Sequence, residues 1–320
     1  MSSHHALMVT IDFKRFIKEI LLYKCLFERK TYDKYFDTPA SWSIIRQAFI
    51  HESLKLQTNY ELLEHEGDSV VNNVARAYIS LKFPKIVNVS WKSQIGHMLI
   101  SKKALSEIAI QNGFTKHIAF SDELRKRIEM FDDPTDCRDF LSMNEDVLEA
   151  LCGAISRICW KISSNPATAF GIGSAACFNL ISNFFDQIKI SIRYEDIFDA
   201  KSRLKRLFDA KGWSTITGCS LNNCLRVYSL EEPREYDAGM MAYRRSLPNN
   251  MKPSQMVLET KDRFLVLGYA CDPKDPRNKQ LLSVSTGNKK AIVEQIVAEE
   301  IIDKLRQKGV YVLPTDPYKG

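Results

Sequence analysis

The sequence predicts two domains of different class: an all-α domain over residues 10–190, then an α+β domain of order α-β-β-β-α over residues 195–310. Three observations carry this. Apolar residues recur at helical spacing through the first 190 positions, with no convincing strand alternation. Beyond residue 190, strand-like runs stand between two helices. The charge also divides: residues 191–320 hold 22 Lys+Arg against 17 Asp+Glu, whereas residues 1–190 hold 23 against 22.

The first helix is expected over residues 11–30, where Ile11, Phe16, Ile17, Ile20, Leu21 and Cys25 fall at near-helical spacing. A short helix follows at 41–50, behind capping-type residues. Helical periodicity continues through 61–83, 90–112, 144–163 and about 167–190; Pro84 closes one helix and Pro134 sits in a loop. In the second domain, residues 194–211 form a basic helix with Leu204, Leu207 and Phe208 on one side. Strands are expected at 224–230, 256–259, 264–271 and 280–285, one more than the order α-β-β-β-α needs and so an extra strand, and a last helix at 288–307. Residues 231–252 hold prolines, a glycine and many charges, and read as a long loop or insertion.

Composition narrows the function classes. A chain of 320 residues that is 45% hydrophobic has ample material for two packed cores. No run approaches the ~18 apolar residues of a membrane span, and the opening MSSHHALMVTIDFKRF lacks a secretory apolar stretch. The eight cysteines have no disulfide-scaffold spacing. Together these lead to an intracellular, reducing compartment, the cytoplasm first, with an organelle or the nucleus as alternatives. The net charge of +6 sits almost wholly in the second domain, which suits a polyanionic partner there.

The chemistry concentrates in residues 59–73, NYELLEHEGDSVVNN. Glu61, Glu64 and Asp68 are spaced i, i+3, i+7 and share one helix face, while Glu66 points elsewhere. Stacked carboxylates repel unless a cation lies among them, and hard divalent cations prefer such oxygen ligands. Asp146 and Glu149 form a second pair at i, i+3, with Leu148, Leu151 and Ile155 on an apolar side. Acidic pairs at this spacing are usually solvated helix faces. Gly67 argues against that here, because a glycine inside a helix costs ~1 kcal/mol and implies close approach of another backbone. Gly153 and Ala154 leave room for such an approach.

These residues resemble a family. Glu61-Leu62-Leu63-Glu64-His65-Glu66-Gly67-Asp68-Ser69 is similar to the signature E-R-L-E-F-L-G-D-S of ribonuclease III. Gln47-Ala48-Phe49-Ile50-His51-Glu52-Ser53-Leu54 resembles the family's A-L-x-H-x-S segment. Asp146-Val147-Leu148-Glu149-Ala150-Leu151-Cys152-Gly153 resembles its D-x-x-E-A-L-x-G segment. The resemblance spans roughly residues 25–165. It implies a ribonuclease III endonuclease domain in which Glu64, Asp68, Asp146 and Glu149 are the catalytic, metal-holding acids, for Mg²⁺ with Mn²⁺ as its substitute. It implies that Glu61 lies nearer the RNA, that the protein is a homodimer built through this domain, and that double-stranded RNA is cut to 5′-phosphate and 3′-hydroxyl ends. The sequence departs from the family in two places. Residues 83–90 lack an acid often found after the signature helix, and His65 and Glu66 replace apolar residues; since the family's signature helix lies at its dimer interface, the resemblance implies a more polar seam here.

The second domain resembles a double-stranded RNA-binding domain in its order, charge and position. Residues 199–207, with Lys201 and Arg203, resemble its first helix, and Gly287-Asn288-Lys289-Lys290-Ala291 its phosphate-binding segment. The usual glutamate and the proline-histidine loop are absent, so a role in protein contacts is the alternative. For the whole chain the competing reading is a catalytically silent subunit that binds structured RNA. The intact acids at 64, 68, 146 and 149 argue against it. His51 is expected to be structural, at a helix end. His65 faces another side of its helix, and the C-x4-C pair Cys219 and Cys224 lacks a second ligand pair for zinc.

Overall fold

The structure is a computed structural model and describes residues 9–213, 221–246, 262–271 and 279–319. It divides into two compact units, one of residues 1–190 with 317–320 and one of residues 191–316.

The first unit is helical. Helix α1 (Ile11–Glu19) is capped by the Thr10 hydroxyl and runs into a wider π turn, Ile20–Lys24. The widened turn buries Ile20, Leu21 and Cys25 together. The turn ends at Lys24, six residues short of the sequence expectation, and Leu26 at φ 61° leads the chain away. Helix α2 (Pro39–Gln47) starts on a proline behind the capping Thr38. The expected helix over 90–112 is two helices, α4 (Val89–Leu99) and α5 (Lys102–Gln111), because Ser101 turns its hydroxyl to the Ala104 amide and starts a new helix. Helix α6 is Asp122–Ile128.

The unit is organised around α3 (Glu61–Lys82) and α7 (Arg138–Cys159), both 22 residues long. Helix α7 is nearly enclosed, with Val147, Leu148, Leu151, Cys152 and Ile155 buried. Where it crosses α3, two glycines face the opposite backbone. A Cβ on Gly67 would overlap the Glu149 carbonyl oxygen and lie 3.0 Å from the Gly153 nitrogen; one on Gly153 would overlap the Leu63 carbonyl. The close approach expected from Gly67 is therefore present, and it is reciprocal.

Helix α8 (Pro166–Phe185) corrects the reading that no segment is long and apolar enough to cross a bilayer: by length and composition this one is. It packs as a core helix, with Leu180, Ile181, Phe184 and Phe185 buried, and glycines, serines and asparagines interrupt its apolar run. The unit's strand content among the described residues is one isolated bridge, Ile50 to Ala119. That bridge and the Tyr60 amide, which donates to the Ile50 carbonyl at 2.9 Å, fix the entry to α3.

The second unit has a three-stranded antiparallel sheet in the order β1 (Leu225–Ser229), β2 (Phe264–Cys271), β3 (Lys279–Gly287). Helices α9 (Ala200–Ala210) and α11 (Lys290–Gln307) cover one face, where Leu204, Phe208, Val266, Val297 and Ile301 meet. The expected helix over 194–211 is interrupted, because Asp199 caps α9 afresh through the Ser202 amide at 2.7 Å.

Residues 231–252 are corrected from loop to helix over most of their length. Helix α10 (Pro233–Ser246) opens on a proline and buries Tyr236 and Tyr243 against Leu265 and Leu267, on the second sheet face. Gly239, a loop signal in the sequence, is there because a Cβ would lie 2.6 Å from the Tyr228 ring. The described order is therefore α-β-α-β-β-α rather than α-β-β-β-α. The strand expected at 256–259, residues 247–252 and Cys219 lie outside the described residues.

The glycine crossing makes a direct prediction for stability. Gly67→Ala and Gly153→Ala should each cost about 3 kcal/mol or more in urea unfolding, since backbone cannot yield as a side chain can. Gly171→Ala, on the exposed side of α8 with nothing within 4 Å, should instead stabilise by about 0.5–1 kcal/mol.

Candidate active site and metal centre

The glycine crossing brings acids from two helices together. Glu64 comes from α3 and Asp146 and Glu149 from α7, with one carboxylate oxygen of each within 4.8 Å of the others. Asp68 stands outside this tight set. It is exposed and accepts a hydrogen bond from Asn72 Nδ2 at 2.7 Å, yet its charge reaches both Glu64 and Glu149. Glu61, at the exposed start of α3, accepts from Asn59 Nδ2 at 2.8 Å and lies against Glu52, whose pKa is raised by burial and by Glu61.

Burial sets the electrostatics. Glu149 is only 6% exposed; burial and then the charges of Glu145, Asp68, Glu64 and Asp146 push its pKa up to about 9. Glu64 is raised by burial, then by Asp146 and Asp68. Asp146 is raised by burial too, but the Tyr60 hydroxyl and Lys102 oppose the rise. The acids thus resist carrying their full charge together. A multivalent cation removes that conflict, and an all-oxygen donor set on two rigid helices is the kind that Mg²⁺ or Mn²⁺ takes.

Two participants escaped the sequence reading. The buried Tyr60 donates its hydroxyl to Asp146 Oδ2 at 2.7 Å. A tyrosine one residue before the signature gives no sign of a contact 86 positions away. Glu145 stands four residues before Glu149 and so shares its helix face, a signal present in the sequence. His51 caps the short Glu52–Leu54 turn, its Nδ1 accepting from the Ser53 amide at 3.0 Å.

The second-unit candidates divide. Lys201 pairs with Glu294 at 2.8 Å, and Arg203 pairs with Glu299 and donates to the Phe198 carbonyl at 3.0 Å. Both charges are engaged in holding α9 to α11. Lys289 and Lys290 lie exposed at the N-terminus of α11.

Residues 61–156, which include every acid of the cluster, match the family model described as Ribonuclease III domain. That segment is a ribonuclease III domain. The chain is 29% identical over 168 residues to a Frog virus 3 (isolate Goorha) protein, covering 52% of this chain and 42% of that one. It is 27% identical over 206 residues to an Invertebrate iridescent virus 6 protein, covering 61% and 66%. Both carry the name "Putative ribonuclease 3". The chain thus spans under two thirds of the length of each. Among solved structures it is similar to the nuclease domain of the Campylobacter jejuni ribonuclease III, at 24% identity and TM-score 0.39, covering 53% of this chain and 97% of that one.

The raised Glu149 pKa has a defined sign. The folded value, about 9, lies above the usual carboxylate value near 4.5. The stability it contributes is therefore full below about pH 4.5 and is lost as pH rises toward 9. In EDTA, unfolding free energy should fall across that window. Glu149→Gln should flatten the fall and stabilise the metal-free protein at pH 8 by about 1–3 kcal/mol; urea titrations at several pH values measure both.

Proposed function

We propose that this protein is a metal-dependent endoribonuclease that hydrolyses double-stranded RNA to 5′-phosphate and 3′-hydroxyl ends. The observation that carries this reading is the convergence of Glu64, Asp146 and Glu149 from two helices, within the segment that matches the family. Glu64, Asp68, Asp146 and Glu149 would hold Mg²⁺, with Mn²⁺ as substitute. The bound ion supplies charge neutralisation at the phosphate and a water of lowered pKa.

The chain itself supplies geometry. The α3–α7 crossing fixes where Glu64 and Glu149 stand, so little reorganisation remains at the moment of reaction. Tyr60 engages one oxygen of Asp146 and limits rotation of that carboxylate. Glu61, exposed at the start of α3, would lie nearer the RNA than the metal. In the second unit the helix N-terminus carrying Lys289 and Lys290 suits phosphates across the groove of A-form RNA. Lys201 and Arg203 serve that surface by fixing α9 against α11.

The same reading includes a homodimer. A groove of about 780 Å³ runs beside α3, lined by Val70, Val74, Ala77, Leu81, Phe170 and Phe178. Glu66 at its edge pairs with Arg157, which gives the seam a polar element. A two-fold dimer through this face would carry two cutting sites, one for each RNA strand. The seven described cysteines are all buried, and this reading places the protein in a reducing compartment.

The direct test is cleavage of a labelled ~30-base-pair RNA duplex in Mg²⁺, a length beyond the ~16 pairs one RNA-binding domain spans. Glu149→Gln should lower the rate by about 100-fold or more. Duplex binding without cleavage by the native protein would replace this reading with that of a silent RNA-binding subunit. Ala77→Asp, on the exposed wall of the groove, should shift the protein from dimer to monomer in sedimentation equilibrium.

A further inference from the structure

One ion pair beside the cluster has no part in the function so far. Glu145 on α7 pairs with Lys102, the first residue of α5. Lys102 Nζ also donates to Ser142 Oγ at 2.9 Å. Ser142, Glu145, Asp146 and Glu149 follow one another along α7 at helical spacing, so the ammonium grips the turn that carries two of the clustered acids. The Glu145 side chain is only 14% exposed. The position of Lys102 is locally unfavourable, because the first turn of a helix disfavours a cation.

The fields of both partners reach the cluster. Glu145 acts on Glu149, Glu64 and Asp146 in one direction, and Lys102 acts on Asp146 in the other. Glu145 is a fifth carboxylate beside the four that would hold the ion. Left alone it would deepen the negative potential and compete as a ligand. Paired with Lys102 it adds no net charge.

We propose that the Lys102–Glu145 pair is a charge clasp that sets the divalent-cation affinity of the carboxylate cluster. This rests on the metal-centre reading above. In it Lys102 and Glu145 are positioning residues that touch neither substrate nor ion. Removing the acid strands a positive charge beside the cluster and weakens cation binding. Removing the lysine frees an extra negative charge and strengthens it. The two changes oppose, so together they cancel.

Calorimetric titration of Mn²⁺ and Mg²⁺ into the full chain tests this. Glu145→Gln should weaken binding by about three- to tenfold, and Lys102→Gln should tighten it by a similar factor, as one screened unit charge does. The double variant should return to within about twofold of the native protein, and Lys102→Arg should keep native affinity. The Mg²⁺ concentration for half-maximal cleavage should move in the same directions. A pair that only braces α7 would give a different pattern: both single variants would weaken binding or leave it unchanged, the double would not recover, and the clasp would be overturned with the metal centre intact. If the native protein binds no divalent cation, while unfolding normally in urea, the metal-centre reading itself fails and the clasp with it.

Discussion

Two long helices of this protein touch backbone to backbone, and the rest of the first unit follows from that contact. Gly67 lies on the carbonyl of Glu149, and Gly153 lies on the carbonyl of Leu63. No other residue type fits either place. Each glycine costs a helix interior about 1 kcal/mol in intrinsic preference, so the crossing is maintained at the expense of local helix stability. In return Glu64 on one helix and Glu149 on the other stand a few ångströms apart on rigid supports. Side chains on loops would not hold that spacing under mutual repulsion.

The helix that carries Asp146 and Glu149 can bear this strain because its remaining sides are packed. Val147, Leu148, Leu151 and Ile155 are buried around it, so the apolar core offsets the burial of ionisable groups on its polar stripe. Charge balance around the cluster is local and graded. The Tyr60 hydroxyl serves Asp146, Asn72 serves Asp68 and Lys102 serves Glu145. Glu149 is the most buried of the clustered acids and its pKa is pushed up to about 9, which marks the deepest point of the conflict. Pairs of this kind stabilise little when exposed; half-buried beside a functional cluster, their sign and position matter more than their contribution to folding.

In the second unit the sheet is covered on both faces by its own chain. Along β2, Val266 and Ala270 face the core under α9 and α11, while Leu265 and Leu267 face α10. That is why this strand reads as a continuous apolar run without alternation. The charges of Lys201 and Arg203 go into ion pairs with Glu294 and Glu299. A basic sequence therefore presents fewer free cations on α9 than its composition implies.

What the sequence determined by itself was whatever rests on short-range periodicity. The helices around Glu61–Lys82 and Arg138–Cys159, the strand Phe264–Cys271 and the shared faces of Glu64 with Asp68 and of Asp146 with Glu149 follow from residues within two or three turns of one another. Gly67 and Gly153 were legible as exceptions, because a glycine inside a helix needs a reason. Where local signals competed, the tertiary structure decided. The Pro233–Ser246 segment carries every mark of a loop and is a helix because Tyr236 and Tyr243 have a sheet face to cover. The first helix widens into a π turn because that buries Cys25. Short-range pattern did not decide how closely the named acids meet: Asp68 shares the face of Glu64 yet stands apart from the tight set, while Tyr60 reaches Asp146 across 86 positions. Such contacts depend on where two helices cross, and a crossing is set by packing between segments distant in sequence, not by the pattern within either.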